Sequence, residues 1–366
     1  MSLKCISISI SLILAFAVAV VRSQTTDKPV EQVRKNIQVL KGLPDPQLFL
    51  VMNFVGDSLG VHCDYCHVKG EKNPQTGEDT WLWEKDDKKQ KLVGREMMRM
   101  VLELNQNKFK REAVVTCYTC HRGSTRPERM APLPPRDFVK EALQIQKTVL
   151  PAAQEVVAKY LSAVGAKQNV APSAIVMKGS VESRSGSGAL EVIFKQPNKA
   201  LIKQTTAQGL FTRGTNGATA WAQTAKGVTE ITGEGLKRSV ASIAQFNLIK
   251  TPDSVADATV TGIARVDDRD TYVLTLENSA TESTQLYFDV ESGLLLRRVN
   301  VTNTMLGSLN VQWDFSDYRD VNGLKFPFVI RTADVASFDT TIRSFKEIKI
   351  DSTIDDRIFD LPQEPR

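Results

Sequence analysis

With 366 residues, 42% of them hydrophobic and 24% charged, the chain has the composition of a globular protein long enough for two or three domains, which excludes a disordered or fibrous chain. Its 47 basic and 42 acidic residues leave a formal charge of +5. The two signs are interleaved, as from Glu84 to Lys91, which reads as a solvated helix face and speaks against a nucleic-acid partner.

Lys4, the apolar run Ile6 to Val21 and then Arg22-Ser23-Gln24 predict a secretory signal over residues 1–23, so that the mature chain is exported, in a bacterium to the periplasm. An uncleaved membrane anchor, with association at the membrane surface, is the alternative. Removing residues 1–23 takes away Lys4 and Arg22 and no acid, so +5 becomes +3. An exported protein normally spends its cysteines on disulfides. Here Cys5 precedes the apolar run, and Cys63, Cys66, Cys117 and Cys120 all fall in two Cys-x-x-Cys-His motifs. No disulfide partner remains.

Residues 24–123 hold both motifs and read as mainly helical. Asp45 as N-cap, Pro46 at the first helical position and Gly60 as stop predict a helix that carries Met52. The first motif follows, Cys63-Asp64-Tyr65-Cys66-His67. A second helix is predicted from about Asp87 to Leu104, with Asn105 in the place of Gly60 as its left-handed stop. It carries Met97, Met98 and Met100 and precedes the second motif, Cys117-Tyr118-Thr119-Cys120-His121. The two halves thus form an internal repeat of helix, turn and motif.

In such a motif two thiols make thioethers to a porphyrin edge and the histidine binds iron from the proximal side, which predicts two covalently attached c-type haems. The rival reading joins the four thiolates in one tetrahedral zinc site. With His67 and His121 as proximal ligands, only His62 remains of the three histidines, so at least one iron needs methionine, another group or an open position. His62 itself could face solvent, bond a propionate or reach the neighbouring haem. Met52 lies eight residues before Gly60 and Met97 eight before Asn105, which makes them the predicted sixth ligands, with Met100 the runner-up to Met97; the competing use of all three is core packing. Phe54, Tyr65, Trp81, Trp83, Phe109 and Tyr118 are candidate haem walls.

Residues 124–136, Ser-Thr-Arg-Pro-Glu-Arg-Met-Ala-Pro-Leu-Pro-Pro-Arg, read as a linker. Residues 137–366 open with a helical stretch from Asp137 to Val164, broken at Pro151 and stopped by Gly165. From about Ser173 the pattern alternates, with Asn216-Gly217, Ser292-Gly293 and Asn322-Gly323 as hairpin tips. An antiparallel sheet follows, helical only near Gly235 to Phe246. The fold class is multidomain, a mainly α-helical dihaem domain followed by an α+β domain.

Met52-Asn53-Phe54 with the segment Ser58 to His67 resembles the third haem segment of the photosynthetic reaction-centre cytochrome c subunit. Arg99-Met100-Val101, Leu104-Asn105 and Thr116 to Gly123 resemble its fourth. The resemblance covers residues 35–130 and implies electron transfer with a protein donor and acceptor. That subunit has four haems against two motifs here, and its fourth takes a histidine from a region this chain does not contain, which turns attention to Met97 or Met100. The C-terminal half resembles the lipoprotein-localisation half-barrel at Tyr287 to Leu295, Asp317 to Gly323 and Phe359-Asp360-Leu361-Pro362, which implies an incomplete antiparallel barrel suited to a hydrophobic ligand or to docking. An electron carrier is the first functional reading. A haem enzyme with one open iron site, peroxidase-like or reducing a small molecule, is the second, and a redox-linked binding protein for a hydrophobic ligand the third.

Overall fold

The structure is a computed structural model. It describes residues 28–362 except 75–78, 111–112, 131–148, 167–171, 185, 208, 226, 234, 237–238, 241–257, 280–281, 336–338 and 351–352. The signal segment, residues 131–136 of the linker, residues 137–148, and residues 237–238 and 241–246 of the expected helix near Gly235 lie outside the described residues.

The first half is built from a single turn α1 (Val30–Val33), α2 (Leu48–Leu59), a hairpin of β1 (Val68–Lys72) and β2 (Asp79–Leu82), α3 (Lys89–Lys108) and the short α4 (Cys117–His121). Pro46 sits in a 3-10 turn, Asp45–Gln47, ahead of α2. Asp45 does not cap the helix as expected: its carboxylate accepts from Arg34 Nε at 2.6 Å and Nη2 at 3.0 Å. Gly60 closes α2 at φ 66°, as a left-handed stop should.

Asn105 is the larger departure. It lies inside α3, which runs on to Lys108, and Lys110 takes the positive φ instead. The buried Asn105 amide donates to the Val115 carbonyl at 2.7 Å and accepts from Val115 N at 3.0 Å. A side chain that pairs with a remote backbone has no reason to leave the helix. The β1–β2 hairpin also departs from the helical expectation. Its first strand is mostly polar, and Lys69 secures it by pairing with Asp79 at 2.8 Å and lying over the Trp81 ring at 5.6 Å. Residues 85–88 are not helical either: α3 starts at Lys89.

Among the described residues, the second half is a thirteen-stranded antiparallel sheet, β3 (Ala174–Ser183) through β15 (Asp339–Ile350). One meander runs from β3 to β8 (Gly227–Ile231) and another from β9 (Thr259–Val266) to β15, and β15 pairs with β3 to join them. Among the described residues β8 and β9 are its two edges, and the sheet is not closed. Asn216-Gly217, Ser292-Gly293 and Asn322-Gly323 all sit in strand connections as expected. Asn322 at φ 52° and Gly323 at φ 84° join β13 (Gly307–Val321) to β14 (Leu324–Asp334).

Residues 149–152 carry no helix. From there α5 (Ala153–Ala163) packs Val156, Val157 and Tyr160 on the buried face of the sheet. The Tyr160 and Phe288 rings meet at 5.2 Å. Beyond α5, Gly165 turns at φ 82°, and Val164 accepts from Lys325 N at 2.9 Å.

The hairpin of β12 (Leu295–Thr304) and β13 joins the halves in one shared core. Leu306, at the turn between these strands, is 0% exposed and belongs to the cluster of Val30, Leu40, Leu43, Val51 and Val101 in the first half. No helix of the described residues is long and apolar enough to cross a membrane.

Candidate functional site

The two Cys-x-x-Cys-His motifs are built differently. Cys63–Tyr65 is a 3-10 turn entered from an extended His62, and His67 N returns to Cys63 O at 2.9 Å. The second motif is the helix α4, closed at its start by a reciprocal cap. The Thr116 hydroxyl accepts from Thr119 N at 3.3 Å, and the Thr119 hydroxyl accepts from Thr116 N at 3.0 Å. Asn105 holds Val115, one residue upstream, so α3 anchors the start of this motif.

The motifs are tied to each other through backbone. Gly123, at φ 83°, donates to Ser58 O at 2.9 Å. An added Cβ at Gly60 would strike the Gly123 carbonyl. Only glycine tolerates both the positive φ and this approach.

All four cysteines and both motif histidines line one cleft of about 630 Å³. Met52, Met97, Met98 and Met100 line it too, with Phe49, Tyr65 and Trp83. Met97 and Met100 lie on the same face of α3 and are 40% and 50% exposed. Met52 and Met98 face the cleft while also packing on the cluster of Val51 and Val101. Because Asn105 does not end α3, the count of eight residues no longer singles out Met97. Met98, one of the three candidates on this helix though not the one preferred, is marked as an inward position by its heptad partner Asn105 and its neighbour Val101. Trp81 lies outside the cleft, stacked on Trp83 at 4.9 Å, and Trp83 in turn meets His67 edge-on at 5.0 Å. Phe49 reaches Trp83 at 5.6 Å.

The four thiols are free of disulfides. Burial pushes the Cys66 thiol up, partly offset by Lys88 and Lys91, and burial likewise raises Cys117. Both shifts favour the neutral thiol. Among the described residues no three His, Cys, Asp or Glu side chains gather as a metal-ion cluster, so the four sulfurs do not converge on one centre. His67 is held below the usual imidazole range, first by burial and then by the positive charge of Lys91, which keeps it neutral. His121 Nδ1 lies 2.9 Å from the Ser124 carbonyl. A carbonyl only accepts, so the proton sits on Nδ1 and the Nε2 lone pair is left for a ligand. His62 also lines the cleft.

The cleft rim is basic. Arg34, Lys35, Lys89, Lys91 and Arg95 line it against Glu84. Lys91 donates to the Trp83 and Lys85 carbonyls at 2.8 and 2.6 Å, and Arg95 pairs with Asp86 at 2.8 Å. The Arg95 guanidinium, with further hydrogen bonds from Asn36 and Lys91, holds the Asp86 carboxyl well below the usual carboxylate range.

Residues 14–170 match the family described as the photosynthetic reaction centre cytochrome C subunit. Over 112 residues the chain is 33% identical to the photosynthetic reaction center cytochrome c subunit of Thermochromatium tepidum, covering 29% of this chain and 24% of that protein. The Roseobacter denitrificans subunit is 30% identical over 107 residues, covering 27% of each. The chain therefore spans about a quarter of the length of the curated relatives it matches. A solved LolA superfamily protein from Nitrosomonas europaea aligns with 58% of this chain and 98% of its own, at 13% identity and a TM-score of 0.37. Both cysteine motifs and their cleft thus lie in a part of the chain, residues 14–170, that is similar to photosynthetic reaction centre cytochrome C subunits.

Proposed function

We propose that the chain is an exported dihaem c-type cytochrome that passes single electrons between a protein donor and acceptor. The observation that carries this reading is the single cleft that both Cys-x-x-Cys-His motifs and four methionines line. Its walls fit the group. Phe49, Tyr65, Trp83, Val93, Met97 and Met100 are large apolar side chains left exposed in one patch, and such a patch calls for an apolar occupant.

When bound, haem iron cycles between two oxidation states and so accepts and releases one electron. The protein's task is attachment, orientation and tuning. Cys63 and Cys66 would hold one haem, Cys117 and Cys120 the other, with His67 and His121 as proximal ligands. Met52 is proposed as distal ligand of the first and Met97 of the second, with Met100 the rival on the same helix face. The Ser124 carbonyl orients the His121 ring, and burial keeps His67 in the neutral form a ligand needs. In this reading residues 24–123 form the cytochrome domain, 124–136 a linker and 137–366 an appended binding or docking domain.

The test is optical. A haemochrome assay is expected to find two covalent haems per chain, and Cys63→Ser/Cys66→Ser or Cys117→Ser/Cys120→Ser to remove one each. Met52→Leu and Met97→Leu are each expected to abolish the sulfur-to-iron charge-transfer band of one haem and lower its potential. Two low-spin haems indifferent to Met52→Leu, Met97→Leu and Met100→Leu would defeat the ligand assignment. A high-spin haem open to added ligands in the wild type would favour the enzyme reading.

A further inference from the structure

The turn joining β12 to β13 belongs by chain to the sheet and by packing to the haem cleft. Leu306 is fully buried among residues of the first half, and it is the one member of that cluster that comes from the sheet. Met305 packs against the same cluster, as do Met52 and Met98. The next residue, Gly307, sits at φ 151°. A Cβ there would lie 2.5 Å from Phe54 Cζ and 3.1 Å from Thr116 Cγ2. Phe54 follows Met52 by two residues on α2, and Thr116 is the cap of the helix that carries Cys117 to His121. The tip is itself rigid: Thr304 Oγ1 donates to Gly307 O at 2.7 Å and accepts from Leu306 N at 3.3 Å.

One turn of the sheet therefore touches the helix of the first distal ligand and the cap of the second attachment helix. We propose that Leu306 and Gly307 are positioning residues of the dihaem cleft, through which the sheet sets how Met52 and the Cys117–His121 helix present themselves. This rests on the dihaem reading above. The sheet is then more than an appendage: whatever deforms β12 and β13 is transmitted to both haem sites by direct packing. Leu306 removes support under α2 when truncated, and Gly307 pushes Phe54 and Thr116 apart when given a side chain.

The full-length protein, Leu306→Ala, Leu306→Met, Gly307→Ala and, as a remote control, Leu210→Ala on the exposed face of the sheet are compared by two readouts. Haem attachment is counted first, and two per chain is expected in all. Leu306→Ala and Gly307→Ala are then expected to weaken the sulfur-to-iron band and lower one potential, Leu306→Met to restore both, and Leu210→Ala to change neither. Hydrogen exchange, which needs no haem signal, is expected to be at least about tenfold faster in residues 48–59 and 116–121 of Leu306→Ala, with the strands β3, β4 and β10 unchanged. Wild-type band, potential and exchange in both Leu306→Ala and Gly307→Ala would overturn the proposal. So would a Leu306→Ala chain that loses its sheet while Gly307→Ala behaves as wild type. Absence of covalent haem from the wild type would instead sink the dihaem reading, and the exchange comparison would still decide the role of the turn.

Discussion

At the scale of single residues, two polar side chains carry structure near the cleft that their sequence neighbourhoods conceal. Asn105 makes a two-point bond to the Val115 backbone from inside α3. Asn105→Ala leaves a buried N–H and carbonyl without partners and is expected to cost about 1–3 kcal/mol, read from the shift in the urea midpoint. Asp86 gathers Arg95 and Lys91. Its folded pKa is depressed, so its contribution to stability is complete above the ordinary carboxylate value of about 4 and is lost as pH falls through the folded value. Urea midpoints of the wild type are expected to fall between about pH 5 and about pH 2 more steeply than those of Asp86→Asn. Equal slopes would show that Asp86 contributes nothing to acid sensitivity.

At the scale of elements, the turns were legible and the tethers were not. Gly60 announced the end of α2, and Asn322-Gly323 its hairpin, because a left-handed residue serves its own few neighbours and leaves a local mark. Gly60→Ala adds strain at φ 66° and a clash with the Gly123 carbonyl, and is expected to destabilise by about 1–3 kcal/mol at least, measured by thermal unfolding. Asn105 misled because asparagine suits both a helix stop and a buried tether, and only its remote partner Val115 decides between them. The β1–β2 hairpin was invisible because Val68 to Lys72 is polar, and its hold on Asp79 and Trp81 acts across a turn. The motif residues themselves were readable, since thioether and imidazole chemistry fixes their spacing. That Met52, Met97, Met98 and Met100 share one cleft was not, because helix faces are assigned by packing.

At the scale of the whole molecule, the sheet is clasped in a second place besides the Leu306 turn. The C-terminal segment lays Phe359, 0% exposed, against Trp221, whose Nε1 donates to the Phe359 carbonyl at 3.0 Å. Lys195 and Lys199 both pair with Asp356, at 2.6 and 2.8 Å. Phe359→Ala is expected to cost about 3–5 kcal/mol, and its calorimetric transition to shift accordingly; an unchanged transition would show that the clasp adds nothing to stability. In the first half the contact of Gly60 with Gly123 has a different kind of consequence. On the dihaem reading, this backbone contact sits between the two attachment sites and resists any change in their separation. Ligand and wall residues could then vary the driving force of each electron step, and a lineage retune the pair for new partners, without moving the two attachment sites apart.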